Sequence, residues 1–392
     1  MSDRHATALL DWLACAVRGS AEPAAQAARA AGDGLLERVT TAGAAGHVLD
    51  FDDTFQPGLA HLSAPTAPAA LVAGAQRGST IGDVLAAYAS GFEAMGALSR
   101  ACHPALYEGG WHPTAVCGSA GAAVAAAWLY GLDRDQQRAA VGLALLRAGG
   151  LRAAFGTDGK ALQVGMAAAA GVHAAALAAA GAAVDPARIG SEDAGFAEAF
   201  AVATSAATID ELLDAADGAA TAPRAVRENW IKAYPCCLQT HAAIDAALAL
   251  GAAPGDGARI TITVHPLSRE AAALDAVTDG LQAKFSIPYL TAYALLHGAP
   301  DLASFDGVDP ETARLAEHVS VRTDPTLGLA EAELDVDGAA ATRVTAPLGC
   351  PDNPLGGDAL AAKVRALAGD ALDGALDDRE QPAATLLGAI AP

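Results

Sequence analysis

Lysine and large side chains are both scarce in this sequence. Only four of its 392 residues are lysine (Lys160, Lys232, Lys284 and Lys363), and the other twenty of its 24 cationic residues are arginine. Forty-five acids bring the net charge to −21 and the pI to about 4.7. Such a surface repels phosphate backbones and anionic headgroups, which excludes nucleic-acid and peripheral-membrane roles. Aromatics are 5% of the chain. No cysteine pair has CxxC spacing, and no signal-peptide pattern opens the sequence, so reduced thiols and a cytoplasmic location are expected. Nucleotide signatures are missing as well: there is no GxGxxG after a strand, and the run FGTDGKA at 155–161 fails the phosphate-loop spacing. A GxSxG nucleophile elbow is absent. Cys117 lies near His112 in sequence, but nothing makes the two a hydrolase pair.

Hydrophobic residues make up 53% of the chain, much of it alanine. Alanine loses no side-chain entropy in a helix, so the composition reads as closely packed helices. Helical stretches are expected at 6–18, 65–77, 80–101, 115–130, 134–149 and 160–181, with Asp133 capping the fifth. Residues 164–184 are apolar enough to span a bilayer. They are nevertheless mostly Ala and Gly and carry His173, which suits a buried helix. Past residue 225 the texture changes. The alternation RITITVH at 259–265 predicts a strand, with shorter ones at 318–322 and 332–336, a hairpin turn at Asp337–Gly338, and helices at 237–250 and 287–297. A helical pattern returns at 357–367. The chain therefore reads as mainly α with an α+β lid: a large all-helical domain at 1–226, a smaller inserted α+β domain at 227–350, and C-terminal helices at 351–392 that rejoin the first.

Lysine sparing is a chemical clue, because a buried ammonium can shift its pKa and a guanidinium cannot. Lys363, on an amphipathic helix, reads as a surface residue whose replacement should change nothing. Histidines and acids gather in HVLDFDDTF at 47–55, followed by His61. Three acids in four residues read as a solvated loop. They lack calcium-loop and zinc-pair spacing, so no metal is expected. In GWHPT at 110–114, glycines and a proline place His112 on a turn entering a helix, a frequent position for ligand contacts.

Seven segments, in order, resemble the MmgE/PrpD family, whose members include dehydratases, decarboxylases and an epimerase of small carboxylates. They are LLDWLACAVRGS (9–20), HVLDFDDTF (47–55), GWHPT (110–114), GGLRAAFGTDGK (149–160), IKAYP (231–235), KFSIPY (284–289) and GCPDNP (349–354) with Lys363. The resemblance implies a helical domain with an α+β lid, a homodimer and no cofactor. It places His112, Lys232, His61, Lys160 and Asp50 as catalytic residues in a pocket between domains. Thr54, Lys284, Ser286 and Arg152 are the implied substrate-binding residues. His112 is then the principal acid–base residue, and Lys232 a carboxylate clamp or proton donor. The implied function is a lyase that dehydrates or decarboxylates a small di- or tricarboxylate. An epimerase, or a member that only binds its ligand, is the alternative. One departure stands out: where relatives carry Pro-Leu-His after the lysine, this chain has Ala161-Leu162-Gln163.

Overall fold

A computed structural model describes residues 3–202, 208–251, 255, 257–338 and 341–390. The first part is helical: α1 (Asp3–Gly19), α2 (Pro23–Ala31), α3 (Leu35–His47), α4 (Ser63–Arg77), α5 (Ile81–Ala101), α6 (Ala105–Glu108), α7 (Pro113–Leu129), α8 (Arg134–Leu145), α9 (Gly159–Ala179), α10 (Pro186–Gly190), α11 (Phe196–Ala199) and α12 (Ile209–Asp217). Between α3 and α4 lies β1 (Thr54–Phe55), which pairs antiparallel with β2 (Asn229–Trp230). There follow α13 (His241–Leu250), β3 (Ile260–Val264), α14 (Pro266–Ala271), α15 (Gly280–Ala283), α16 (Ile287–His297) and α17 (Pro310–Ala316). The chain continues through β4 (Val319–Thr323), β5 (Ala332–Val336), β6 (Thr342–Val344), α18 (Gly357–Ala368) and α19 (Ala384–Ile390).

Two compact units result. The first holds Met1–Ala154, Asp158–Ile231 and Gly356–Pro392, and the second holds Phe155–Thr157 and Lys232–Leu355. The mainly helical class with a smaller α+β portion is what the sequence predicts. Caps explain several boundaries. Thr80 and Asp83 satisfy each other's backbone N–H groups at the start of α5, and Asp133 and Gln136 do so at α8, each box pairing orphan donors that the helix leaves open. The helix expected at 134–149 stops early, at Leu145. Two helices, α2 and α3, occupy a stretch where the sequence pattern predicts none.

In the first unit α7 is the central rod, packed by α4, α5, α8 and α9, while α9 also lies on α3. Small residues set these contacts. A Cβ on Gly171 would stand 2.4 Å from the Ser119 carbonyl oxygen, and one on Gly43 would stand 2.7 Å from the Gly165 Cα. Helix α9 is, among the described residues, the one helix long and apolar enough to cross a membrane, and half of that stretch is buried within the protein. Its packing is that of a core helix on one side. Met166 and Leu177 on the other side are 56% and 40% exposed.

The second unit is built on a four-stranded sheet in the order β4-β3-β5-β6, with β3 parallel to β4 and antiparallel to β5. The alternation read in 259–265 is the pleat itself: Ile260, Ile262 and Val264 are buried and the threonines between them are half-buried, as a period of two demands. Asp337 and Gly338, just past the end of β5, both take positive φ, at 59° and 74°. Helices α13 and α16 pack together, and α13 lies against β5 and β6.

Lys363 contradicts the surface reading. It is 8% exposed, and its Nζ stands 2.6 Å from Asp11 Oδ1, donates to the Phe51 carbonyl at 2.8 Å and lies 3.8 Å from the centre of the Phe51 ring. It ties α18 to α1 and to the loop after α3. The partners are far away in the chain, so the local amphipathic pattern could not reveal them.

Candidate active site

The loop after α3 carries three acids, and all three are buried, not solvated. Each has a different answer to burial. Asp50, in the left-handed region at φ 52°, accepts from Lys160 Nζ at 2.8 Å. Asp52 accepts from His47 Nδ1 at 2.9 Å and lies 3.4 Å from His61 Nδ1. Burial alone would raise the Asp52 pKa, but the two histidines outweigh it and hold the carboxyl well below the usual range. Asp53 accepts from Asn229 at 2.8 Å and is pushed up to about 8, chiefly by burial. An acidic run is stable inside a protein only when its charges are paired or protonated.

His61 follows a tight turn in which Phe55 pairs with Ala60 and Leu59 takes φ 47°. Its backbone N–H donates to Thr114 Oγ1 at 3.1 Å, fixing the turn to the first residues of α7. Its ring is held on one side by Thr54 Oγ1, 3.3 Å from Nδ1, and by Asp52. On the other side Nε2 lies 3.8 Å from Asp50 Oδ1. With an ionised carboxylate facing Nδ1, the proton of the neutral ring belongs on Nδ1 and Nε2 is left basic, the arrangement by which a carboxylate selects a histidine tautomer. His47 completes the group, its ring centre 4.5 Å from that of His61 and 6.0 Å from that of His112.

His112 is the N-cap of α7, with Pro113 as the first helical residue. Its backbone N–H bonds the Gly150 carbonyl at 3.0 Å, and its Nδ1 meets Gln163 Nε2 at 2.8 Å. Burial, then the Lys160 charge, push its pKa well below the ordinary histidine value. Lys160 and Gln163 come from the first turns of α9.

Five of the predicted residues, Asp50, Thr54, His61, His112 and Lys160, therefore converge within the first unit. Sequence reasoning omitted His47, Asp52 and Thr114 from the site, although HVLDFDDTF contains the first two and GWHPT the third. Arg152 also lies in this unit, donating to the Tyr107 carbonyl at 2.7 Å and stacking 3.9 Å from that ring's centre. The remaining predicted residues belong to the second unit. Lys232 is buried and donates to the Cys236 carbonyl at 2.9 Å. The Nζ of the buried Lys284 lies 5.2 Å from the centre of the Phe305 ring. Ser286 caps α16, accepting the Tyr289 N–H at 3.2 Å.

Among the described residues, donor atoms of His47, Asp52 and His61 come within 4.8 Å of one another. That is near enough to share an ion, yet the contacts are those of a hydrogen-bonded chain with Asp52 as its shared acceptor. The charged residues lining a separate cavity of about 570 Å³ are Glu93, Arg100, Glu211, Asp214 and Arg224. Glu93 is already engaged by His5 and by three backbone N–H groups, those of Arg224, Ala225 and Val226.

Comparison with known proteins identifies the family. Residues 38–208 match the MmgE/PrpD N-terminal domain and residues 234–388 the MmgE/PrpD C-terminal domain. Human cis-aconitate decarboxylase is 33% identical over 215 residues, which is 52% of this chain and 42% of that protein's length. With both domain families matched in order over most of its length, the chain belongs to the MmgE/PrpD family.

Proposed function

We propose that this protein is a lyase that dehydrates or decarboxylates a small di- or tricarboxylate by histidine and lysine acid–base chemistry, without an organic cofactor. The observation that carries the reading is the buried Lys160–Asp50 pair with His61 3.8 Å from Asp50. In a chain of net charge −21, the buried Lys160 ammonium, with imidazoles close by, supplies a positive hydrogen-bond donor for a substrate carboxylate. Losing a proton or CO2 from a carbon next to a carboxylate leaves an electron pair that spreads onto the carboxylate oxygens. Fixed positive charge at those oxygens stabilises that state more than the ground state. His61, oriented by Asp52, is placed to carry the proton. The family assignment and the similarity to a decarboxylase support the same reaction class.

The test is a panel of di- and tricarboxylates incubated in deuterated buffer and followed by NMR. A new alkene with loss of water, or a product one carbon shorter, is the expected result. Deuterium entering unchanged substrate without either loss would replace the lyase by an epimerase. No turnover, with binding indifferent to His61→Ala, would leave neither.

We further propose a cytoplasmic homodimer without nucleic-acid or membrane partners. All six cysteines are buried and free of disulfides, which supports a reducing compartment. The outward face of α9 supports the dimer. It lines a cavity of about 410 Å³ with Leu36, Leu143, Leu146, Met166 and Leu177, an apolar surface suited to a second copy. Light scattering is expected to give twice the chain mass, and Met166→Glu with Leu146→Glu to halve it. A wild-type monomer at micromolar concentration would remove the proposal.

A further inference from the structure

Gln163 is held by both backbone groups of one residue as well as by the His112 ring. Residues 110–112 and 150–152 run side by side: the His112 N–H bonds the Gly150 carbonyl and the Arg152 N–H bonds the Gly110 carbonyl, each at 3.0 Å. Leu151, between them, turns both of its backbone groups to Gln163. Its N–H donates to Gln163 Oε1 at 2.9 Å, and its carbonyl accepts from Nε2 at 3.2 Å. An amide side chain can be read either way round, but here chemistry decides. An N–H needs an oxygen and a carbonyl needs an N–H, so the atom facing Leu151 O is the amide nitrogen. That nitrogen has a second hydrogen, and His112 Nδ1 lies 2.8 Å away. Gly150 is fitted to this arrangement, with φ 127° and a position where a Cβ would stand 2.6 Å from Ala115 Cβ and 3.2 Å from Gln163 Oε1.

A nitrogen that accepts a hydrogen bond carries no proton, and neutral imidazole keeps its one proton on the other nitrogen. We infer that Gln163 is a positioning residue that locks His112 as neutral imidazole with its proton on Nε2, making His112 a hydrogen-bond donor to a substrate oxygen and not the base of the reaction. To become an imidazolium, His112 would have to place an Nδ1–H against an amide N–H₂, two donors face to face. The surroundings act in the same direction. Lys160 on α9 and the imidazoles of His47 at the end of α3 and His61 before α4 all disfavour a positive ring. Asp50 in the intervening loop is the opposing charge, and it is engaged by Lys160. The N-terminus of α7 adds a partial positive charge at the same ring. A neutral donor suits an oxygen that gathers negative charge, because it stabilises that charge without surrendering a proton. This assignment revises the expectation that His112 is the principal acid–base residue and leaves that part to His61.

The role of His112 toward substrate rests on the lyase reading, whereas its tautomer does not, and the two are separable. In protein labelled with nitrogen-15 at histidine, two-bond proton–nitrogen spectra report the tautomer directly. The expected wild-type result is that the His112 resonance shows a protonated Nε2 and bare Nδ1 and stays neutral well below the ordinary histidine titration. Gln163→Glu puts a carboxylate oxygen against Nδ1. It is expected to move the proton to Nδ1 or to charge the ring at neutral pH, and to shift the acidic limb of the kcat profile upward by about one pH unit or more. An Nδ1–H or an imidazolium at the resonance assigned to His112 in the wild type would overturn the inference, as would a Gln163→Glu variant whose His112 titrates like the wild type. The wild-type spectrum alone decides if the variant does not fold.

Discussion

Replacing Lys160 with alanine is expected to lower kcat/KM on the active carboxylate by about 10³-fold or more, equivalent to about 4 kcal/mol of transition-state stabilisation. The argument is electrostatic. Lys160 is 7% exposed and its ammonium stands 2.8 Å from Asp50, so it acts where water screens little. Removing it deletes the nearest full positive charge from a group that otherwise holds imidazoles and carboxylates. It also leaves Asp50 buried with its principal counter-charge gone, a change that opposes entry of an anionic substrate. Arginine should not restore activity, because its planar fork cannot occupy the same point and cannot exchange a proton near neutrality. Steady-state kinetics beside a thermal melt separates the effects. A variant that folds as the wild type does and keeps more than a tenth of its kcat/KM would show that Lys160 is only a structural partner of Asp50.

The second large effect is on stability and lies at Lys363. Lys363→Ala is expected to destabilise the fold by about 3–5 kcal/mol, the cost of leaving one member of a buried ion pair without its partner. The side chains of Lys363 and Asp11 are 5% and 0% exposed, so water cannot take over the lost contact. Urea unfolding followed by circular dichroism reads the difference. The double change Asp11→Leu with Lys363→Met should recover most of it, since a well-packed apolar pair avoids the desolvation that the charged pair bears. A loss below about 1 kcal/mol in the single variant would show that the buried pair contributes little to stability.

These two lysines show how far the sequence could be read. Lys160 was accessible because it sits in a motif, GGLRAAFGTDGK, whose family resemblance carries a role. Lys363 was misread because its helix is locally amphipathic, and what buries it is Asp11 at the opposite end of the chain. Long alanine-rich helices such as α5, α7 and α9 were legible from propensity and punctuation. Helix α3, with two threonines and two glycines in LLERVTTAGAAGH, has weak propensity and forms because α1, α4 and α9 pack around it. The three acids after α3 could not be told from a solvated loop by composition. Their state depends on which histidine, lysine or amide meets each one, and that is decided by chain segments more than 100 residues away in the case of Lys160 and Asn229. The tautomer of His112 is further still from the sequence, because it is set by both backbone groups of Leu151 acting through Gln163.

The glycine contact between α3 and α9 has a meaning beyond close packing. Gly43 lies one turn before His47, and Gly165 lies about a turn and a half after Lys160 and less than a turn after Gln163. Where these two helices touch without side chains, the helix separation is set by main-chain atoms, which do not change rotamer. The contact thus works as a gauge for the chemistry next to it: it fixes how far the ammonium and the amide stand from the histidine rings. A methyl group added there would be felt as a misaligned proton donor before it was felt as a weaker fold.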